Sequence, residues 1–278
     1  MTLSVSPSLP HLDDLREHIR RLGSVLVCFS GGIDSALILA VAAEQLKERA
    51  VGLTAVSASL SATERKEAER LAQSLHATVK FIESHELDNP SYAVNGEDRC
   101  FHCKKELNEI AENLRSQRGL NYIHNGTNQD DLGDFRPGLE AARQANVRSP
   151  LLDLGFSKSD VRAAALAYGL DVWDKPAAAC LASRIPYGTS VTRERLAQIE
   201  HFEFGLRAIG FRQVRVRWHE RIARIELSVD ELALVLPYRE EIVRLGKESG
   251  FHYITLDLSG YRTGSHNELL MGKSLKLA

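Results

Sequence analysis

The chain has 278 residues, enough to bury a core in one large domain or in two smaller ones. Its 44% hydrophobic and 26% charged residues, with 35 basic against 37 acidic side chains, are those of an ordinary globular protein; the net charge of −2 provides no global basic surface for a polyanion. No apolar run approaches the roughly 20 residues that cross a bilayer, and the opening MTLSVSPSLPHLDDLREHIRR lacks the basic start and apolar centre of a secretory signal. The expectation is a cytoplasmic protein whose four cysteines are thiols or metal ligands, not disulfides.

The first two-thirds alternates strand-like and helix-like segments. SVLVCFS (Ser24–Ser30) is a short apolar run ending at a glycine pair, the pattern of a buried parallel strand. The Ala- and Leu-rich Ser35–Arg49 predicts a helix, Ala50–Ala58 a second strand, and Ser61–Leu75 a helix opening on Ser, Thr and Glu. TVKFIES is a strand, KKELNEIAENLRSQ a helix, and NYIHNG a strand running into a loop; Ser157–Leu170 is a helix capped by Ser157 or Ser159. This alternation predicts an α/β fold, a doubly wound parallel sheet with helices on both faces. After RIPYGTSV the pattern changes. TRERLAQIEHFEFGLRAIG is a helix, QVRVRWH and RIARIELS are paired strands, DELALVLPYREEIVRLGKES is one long helix, and HYITLDL closes the series. The expected division is therefore an α/β domain over 1–188 and a smaller α+β domain over 189–278, with roles in substrate binding or oligomerisation.

FSGGIDSA (Phe29–Ala36) is the strongest local signal. Two glycines after a strand let backbone N–H groups approach an anion, and the following helix points its positive end at the same place. Ser30, Gly31, Gly32 and Ser35 are the candidate phosphate contacts, and Asp34 can hold Mg²⁺ beside the phosphates. The Gly-Lys-Ser/Thr of a Walker loop is missing. The string resembles the loop of the ATP pyrophosphatase (PP-loop) superfamily, which implies cleavage of ATP between its α and β phosphates. A second loop, NGTNQDDLGDFRPG, follows a strand of the same sheet, and in such sheets ligands sit at the carboxyl ends of strands. It offers Gly126 and Thr127 to ATP, Asp130, Asp131 and Asp134 to Mg²⁺ or substrate, and Arg136 to phosphate.

SGGIDS, GTNQDDLGDFRPG, CLASRIPYG, FRQVRVRWH and LDLSGYRTGSHNE together resemble one family over nearly the whole chain: the ATP-dependent sulfur transferases of the nickel-pincer cofactor pathway of lactate racemase, the LarE family. The phosphate loop is shared with many relatives; CLASRIPYG and VRVR are the specific segments. The resemblance implies adenylation of a pyridinium biscarboxylate mononucleotide by ATP and sulfur transfer to give a thiocarboxylate. Some members sacrifice a cysteine of the first segment, leaving dehydroalanine. Others, and a group of tRNA thiolases, hold a [4Fe–4S] cluster on three cysteines, with the fourth iron open to carry sulfide.

Cys180 lies in the specific segment, flanked by Ser183 and Arg184, which can stabilise a thiolate or bind adenylate. Cys100 and Cys103 have Cys-x-x-Cys spacing, short enough for one metal; the pair is equally a redox couple or two idle thiols. Cys28 sits in an apolar strand as core filling. The resemblance makes Cys180 either the sulfur donor itself or, with Cys100 and Cys103, a cluster ligand. Alternation in QVRVRWH puts Arg215 and Arg217 on one strand face, suited to a substrate phosphate, with Arg262 a weaker candidate and Glu203 an acidic position nearby. The ten histidines have no metal spacing. The expected partners are a small mononucleotide, a second copy of the chain and other enzymes of the pathway; neither membrane nor nucleic acid is expected. The competing readings are a tRNA thiolase, an ammonia-using ligase of the same superfamily, and a module that binds ATP without cleaving it.

Overall fold

The computed structural model describes residues 10–133, 137–174 and 179–262, so the candidates Asp134 and Arg136 lie outside the described residues. The chain divides into two compact units. The first comprises Met1–Ser57, Ala62–Asn89 and Asp98–Ala178; the second comprises Ala58–Ser61, Pro90–Glu97 and Ala179–Ala278. The division falls ahead of the expected position 188, and two short early segments belong to the second unit.

In chain order the elements are α1 (Pro10–Leu22), β1 (Val25–Cys28), α2 (Ile33–Leu46), β2 (Ala50–Val56), α3 (Ala62–Ser74) and β3 (Thr78–Glu83). Then come α4 (Pro90–Ala93), in the second unit, α5 (Arg99–Gln117), β4 (Tyr122–His124), α6 (Pro137–Gln144), α7 (Pro150–Asp153) and α8 (Lys158–Ala167). The strands of the first unit form an all-parallel sheet in the order β3-β2-β1-β4. Val25 pairs with Ala50 on one side and Tyr122 on the other, so β1 is central. A strand covered on both faces reads as continuously apolar, and β1 shows why. Val25 and Val27 join a core layer with Leu15, Ile19, Leu37, Ile38 and Val161, while Leu26 joins the opposite layer with Val51, Leu53, Ala111 and Ile123. The sheet is doubly wound, and its strands' carboxyl ends share one rim. Helix α2 is buried along most of its length, as its almost wholly apolar sequence requires. Helix α8 starts at a capping box: Ser157 Oγ accepts from the Asp160 amide and the Asp160 carboxylate accepts from the Ser157 amide.

The second unit carries α9 (Arg193–Ala208), β5 (Val214–His219), β6 (Ile222–Leu227), α10 (Arg239–Glu248) and β7 (Tyr253–Leu256). Its sheet has the order β5-β6-β7, antiparallel between β5 and β6 and parallel between β6 and β7. The single long helix expected from Asp230 to Ser249 is instead a 3-10 turn, Val229–Leu234, followed by α10 from Arg239. Pro237 has no N–H to donate and disfavours helical backbone at the residue before it, which breaks the helix there. Among the described residues no helix is long and apolar enough to cross a membrane.

Candidate functional sites in the two units

In the first unit the loop between β1 and α2 folds back on itself. Ser30 N–H donates to Ser35 Oγ at 3.1 Å, the two hydroxyls lie 3.1 Å apart, and Gly32 N–H donates to Ser30 Oγ at 3.3 Å. Gly31 has φ +73, and a Cβ there would stand 3.0 Å from Ala68 Cβ, so the loop needs glycine for conformation and for space. The N-cap of α2 is Gly32, which brings no side-chain cap to the positive end of the helix. The second loop closes on it. A Cβ on Gly126 would lie 2.9 Å from the Ser35 amide nitrogen, the approach of one loop to the other that glycine permits.

Asp34 joins the two loops. Its carboxylate accepts from Asn128 Nδ2 at 2.9 Å and from Lys158 Nζ at 2.6 Å. Neither partner was singled out from the sequence. Lys158 carried a readable signal: it is the first residue of α8, where the helix's positive end disfavours a cation. A lysine held there against local preference puts an ammonium beside the phosphate loop. The remaining acidic candidates serve the loop itself. Asp131 Oδ2 accepts from the Asn128 amide at 3.0 Å, and Asp130 accepts from the Lys158 amide. Thr127 N–H donates to Asn125 Oδ1 at 3.2 Å.

Cys100 and Cys103 occupy the opening turns of α5, which begins at Arg99, five residues before the expected start. Three residues apart on a helix, they lie on one face. Cys28 packs against the layer around Leu26, and burial pushes its thiol up to about 11 against the pull of the Lys104 charge, as an inert core cysteine requires. Among the described residues no group of three His, Cys, Asp or Glu side chains is arranged to hold a metal ion.

In the second unit Cys180 is exposed at the start of a 3-10 turn, Leu181–Arg184. Backbone and side chains fix that turn from several sides. The Leu181 amide donates to Ser59 O at 2.9 Å, and Ser59 Oγ lies 2.6 Å from the Tyr92 hydroxyl. Asn95, buried with φ +60, gives its amide to Ile185 O, Pro186 O and Thr189 O. The segments 58–61 and 90–97 thus exist in this unit to hold the loop after Cys180.

Arg184, Glu203, Arg215 and Arg217 are all buried. Arg184 and Glu203 are 3% and 1% exposed. Arg184 Nε and Nη2 reach Glu203 Oε1 and Oε2 at 2.9 and 3.2 Å, a forked pair. Glu203 also accepts from Arg207 Nη2 and from the Val216 amide, each at 3.0 Å. Burial works to raise the Glu203 carboxyl, but the Arg184 charge and hydrogen bond, with Arg207 and the amide, hold it below the ordinary carboxylate range. Arg217 Nη2 pairs with Glu226 at 2.7 Å and its Nη1 donates to Ser183 O at 2.9 Å. Arg215 donates to Val214 O at 2.8 Å and stands 5.3 Å from the Tyr261 ring centre. Burial first, then the Arg184 charge, brings the Arg215 guanidinium down to about 10. Arg262 is exposed near Asp257, whose carboxyl feels its charge.

A parallel α/β sheet whose central strand enters a Ser-Gly-Gly loop, capped by a lysine and an aspartate from the same rim, defines an ATP-binding domain of the PP-loop class. The sequence profile of the asparagine synthase family matches residues 13–89, which span that loop. The likeness to known proteins extends much further. A protein of Synechocystis, slr1717, is 41% identical over 261 residues, covering 93% of this chain and 97% of that one. The pyridinium-3,5-bisthiocarboxylic acid mononucleotide synthase of Lactiplantibacillus plantarum is 38% identical over 253 residues, 91% of this chain and 92% of its own. A Methanocaldococcus jannaschii protein, MJ0830, is 28% identical across 86% and 91% of the two chains. The chain belongs to the family of pyridinium-3,5-bisthiocarboxylic acid mononucleotide synthases, the LarE family.

Proposed function

We propose that this protein is an ATP-dependent sulfur transferase acting on a pyridinium biscarboxylate mononucleotide. A substrate carboxylate oxygen attacks the α-phosphorus of ATP, pyrophosphate leaves, and an acyl adenylate forms. Sulfide or the Cys180 thiolate then attacks the carbonyl carbon and AMP leaves. Sulfide gives the thiocarboxylate at once, whereas the Cys180 thioester must lose its Cα proton and break its Cβ–S bond, releasing the thiocarboxylate and leaving dehydroalanine at position 180. The observation that carries this reading is that the likeness to the synthase covers 91% of the chain and so takes in the Cys180 turn and the buried arginines as well as the ATP loop.

The residues support distinct parts of the reaction. The uncapped start of α2, with Ser30, Gly31, Gly32 and Ser35, suits the phosphates, and Lys158 suits the negative charge that develops on departing pyrophosphate. Asp34 provides a carboxylate for Mg²⁺, which shields phosphate charge when bound. Arg215 and Arg217 suit the substrate's own phosphate. Cys180 supplies the sulfur directly or, with Cys100 and Cys103, serves as a cluster ligand; thiolates are the donors that an iron–sulfur cluster takes, and such a cluster would supply exchangeable sulfide. Exposed Val229, Leu234, Leu236 and Leu258 of the second unit give a self-associating chain an apolar surface.

The test is pyrophosphate release from Mg²⁺–ATP with and without pyridinium-3,5-biscarboxylic acid mononucleotide. Release that depends on the mononucleotide is expected. Release driven by tRNA in its place would move the chain to the thiolases, and ATP binding without release would make it a non-catalytic module. Iron content after anaerobic purification, in wild type and in Cys100→Ala, separates the cluster from the sacrificial thiol.

A further inference from the structure

The geometry points to Glu203 as a positioning residue that acts through Arg184 to fix the Cys180 peptide relative to the strand bearing Arg215 and Arg217. This rests on the sulfur-transfer reading for its consequence but not for its structural content. Arg184 has two jobs. Its Nε and Nη2 grip the Glu203 carboxylate, while Nη1 donates to Ala179 O at 2.6 Å and Cys180 O at 3.0 Å. The Cys180 carbonyl also accepts from the Ser183 amide at 3.0 Å and from Ser183 Oγ at 2.8 Å. Three donors on one carbonyl hold that peptide plane while the cysteine stays exposed.

The other end of the hub is equally defined. Glu203 Oε1, which accepts from Arg184, also accepts from the backbone amide of Val216, the residue between Arg215 and Arg217 on β5. Arg217 adds a second tie, from β5 to Ser183 O. A buried carboxylate with both oxygens accepting hydrogen bonds is rigid, because moving any partner leaves charge unpaired in a dry environment. The sulfur-bearing peptide and the strand of the anion-binding arginines are thereby locked at one separation. A substrate held by its phosphate then presents its carboxylate at a fixed distance from the sulfur, and misplacement of reacting groups lowers the rate without weakening binding. A salt bridge that merely fastened α9 to the sheet would not involve the Ala179 and Cys180 carbonyls.

The experiment combines amide hydrogen exchange with kinetics on the full chain. In the wild type the Ser183 amide should exchange slowly, since it lies inside the clamp; fast exchange there overturns the proposal with no variant needed. Glu203→Gln keeps the shape and removes the charge, and Arg184→Lys keeps the charge and removes the fork. Each should speed Ser183 exchange by roughly tenfold or more with β6 amides unchanged, since losing a charge-assisted contact is a change of that order. Each should also lower kcat by about tenfold or more while KM for the mononucleotide stays within about threefold. The double variant should be no worse than either single one, as for two parts of one device. A raised KM with unchanged kcat would make Glu203 a substrate contact and contradict the proposal, as would normal Ser183 exchange in a folded variant. If no mononucleotide turnover exists in the wild type, the proposed function fails while the exchange results still decide the clamp.

Discussion

Gly31→Ala probes the phosphate loop in two measurable ways. Gly31 has φ +73, where an alanine costs about 1–2 kcal/mol. Its new Cβ would meet Ala68 Cβ at 3.0 Å and Ala68 Cα at 3.2 Å, so either the loop or α3 must move, an overpacking of about 1–3 kcal/mol. Alanine's smaller unfolded-state entropy returns about 0.4–1 kcal/mol. The expected net loss is about 1–4.6 kcal/mol, centred near 3. Gly169→Ala is the matched control: its φ is +76 and a Cβ would have nothing within 4 Å, so only the backbone strain applies, about 1 kcal/mol. Urea unfolding of both variants should show lower midpoints with unchanged slopes, Gly31→Ala much the lower. Calorimetric titration should show weaker ATP binding for Gly31→Ala alone. Equal losses in the two variants, or normal ATP affinity in Gly31→Ala, would refute the close packing of the loop on α3 and its contact with phosphate.

Three further outcomes follow from the described contacts. Asp34→Ala, assayed for mononucleotide-dependent pyrophosphate release, should be inactive while its circular dichroism matches wild type, because the Asp34 pair with Lys158 is partly exposed and adds little to stability. Arg217→Ala should destabilise the second unit by about 3–5 kcal/mol in urea, since it leaves Glu226, 1% exposed, with a buried charge that Arg224 only partly answers; Arg217→Ala and Arg215→Ala should each weaken binding of the mononucleotide by roughly tenfold or more in calorimetric titration. His124 is wholly buried and neither ring nitrogen has a hydrogen-bond partner among the described residues; burial, then His18 and Arg148, lowers it to about 3. Its folded value lies below the unfolded 6.5, so its contribution is present above pH 6.5 and is lost as pH falls towards 3. About 2 kcal/mol should go between pH 7 and 5, and His124→Leu should flatten that slope in urea titrations.

Much of the first unit is legible in sequence because its determinants are local. The apolar run of β1, the Ala- and Leu-rich α2 and the Ser157 cap each announce themselves within a few residues, and a strand running into Ser-Gly-Gly states where an anion goes. The second unit is less legible because its determinants are distant in sequence. Pro237 was present to be read, and it divides what periodicity alone joins. Glu203 lies nineteen residues from Arg184, and nothing in a helical Glu announces a buried hub. The alternation of Arg215 and Arg217 correctly gives a shared face, but not that this face is covered and its charges internally paired. Ser59, Tyr92 and Asn95 hold the Cys180 loop from segments that sequence order assigns to the first unit. Asn128 and Lys158 meet Asp34 from 94 and 124 residues away in sequence, a convergence that no local pattern announces.

The most direct test of the central claim is mass spectrometry of the mononucleotide after anaerobic incubation with the protein, Mg²⁺ and ATP, alongside the intact mass of the chain. The expected product carries sulfur in place of one carboxylate oxygen, forms in step with AMP and is abolished in Cys180→Ala. Loss of H₂S from Cys180 would identify that thiol as the donor, whereas an unchanged chain mass with sulfide-dependent turnover would identify Cys180, Cys100 and Cys103 as cluster ligands. Full thiocarboxylate formation by Cys180→Ala, or adenylation that never yields sulfur-bearing product, would contradict that claim.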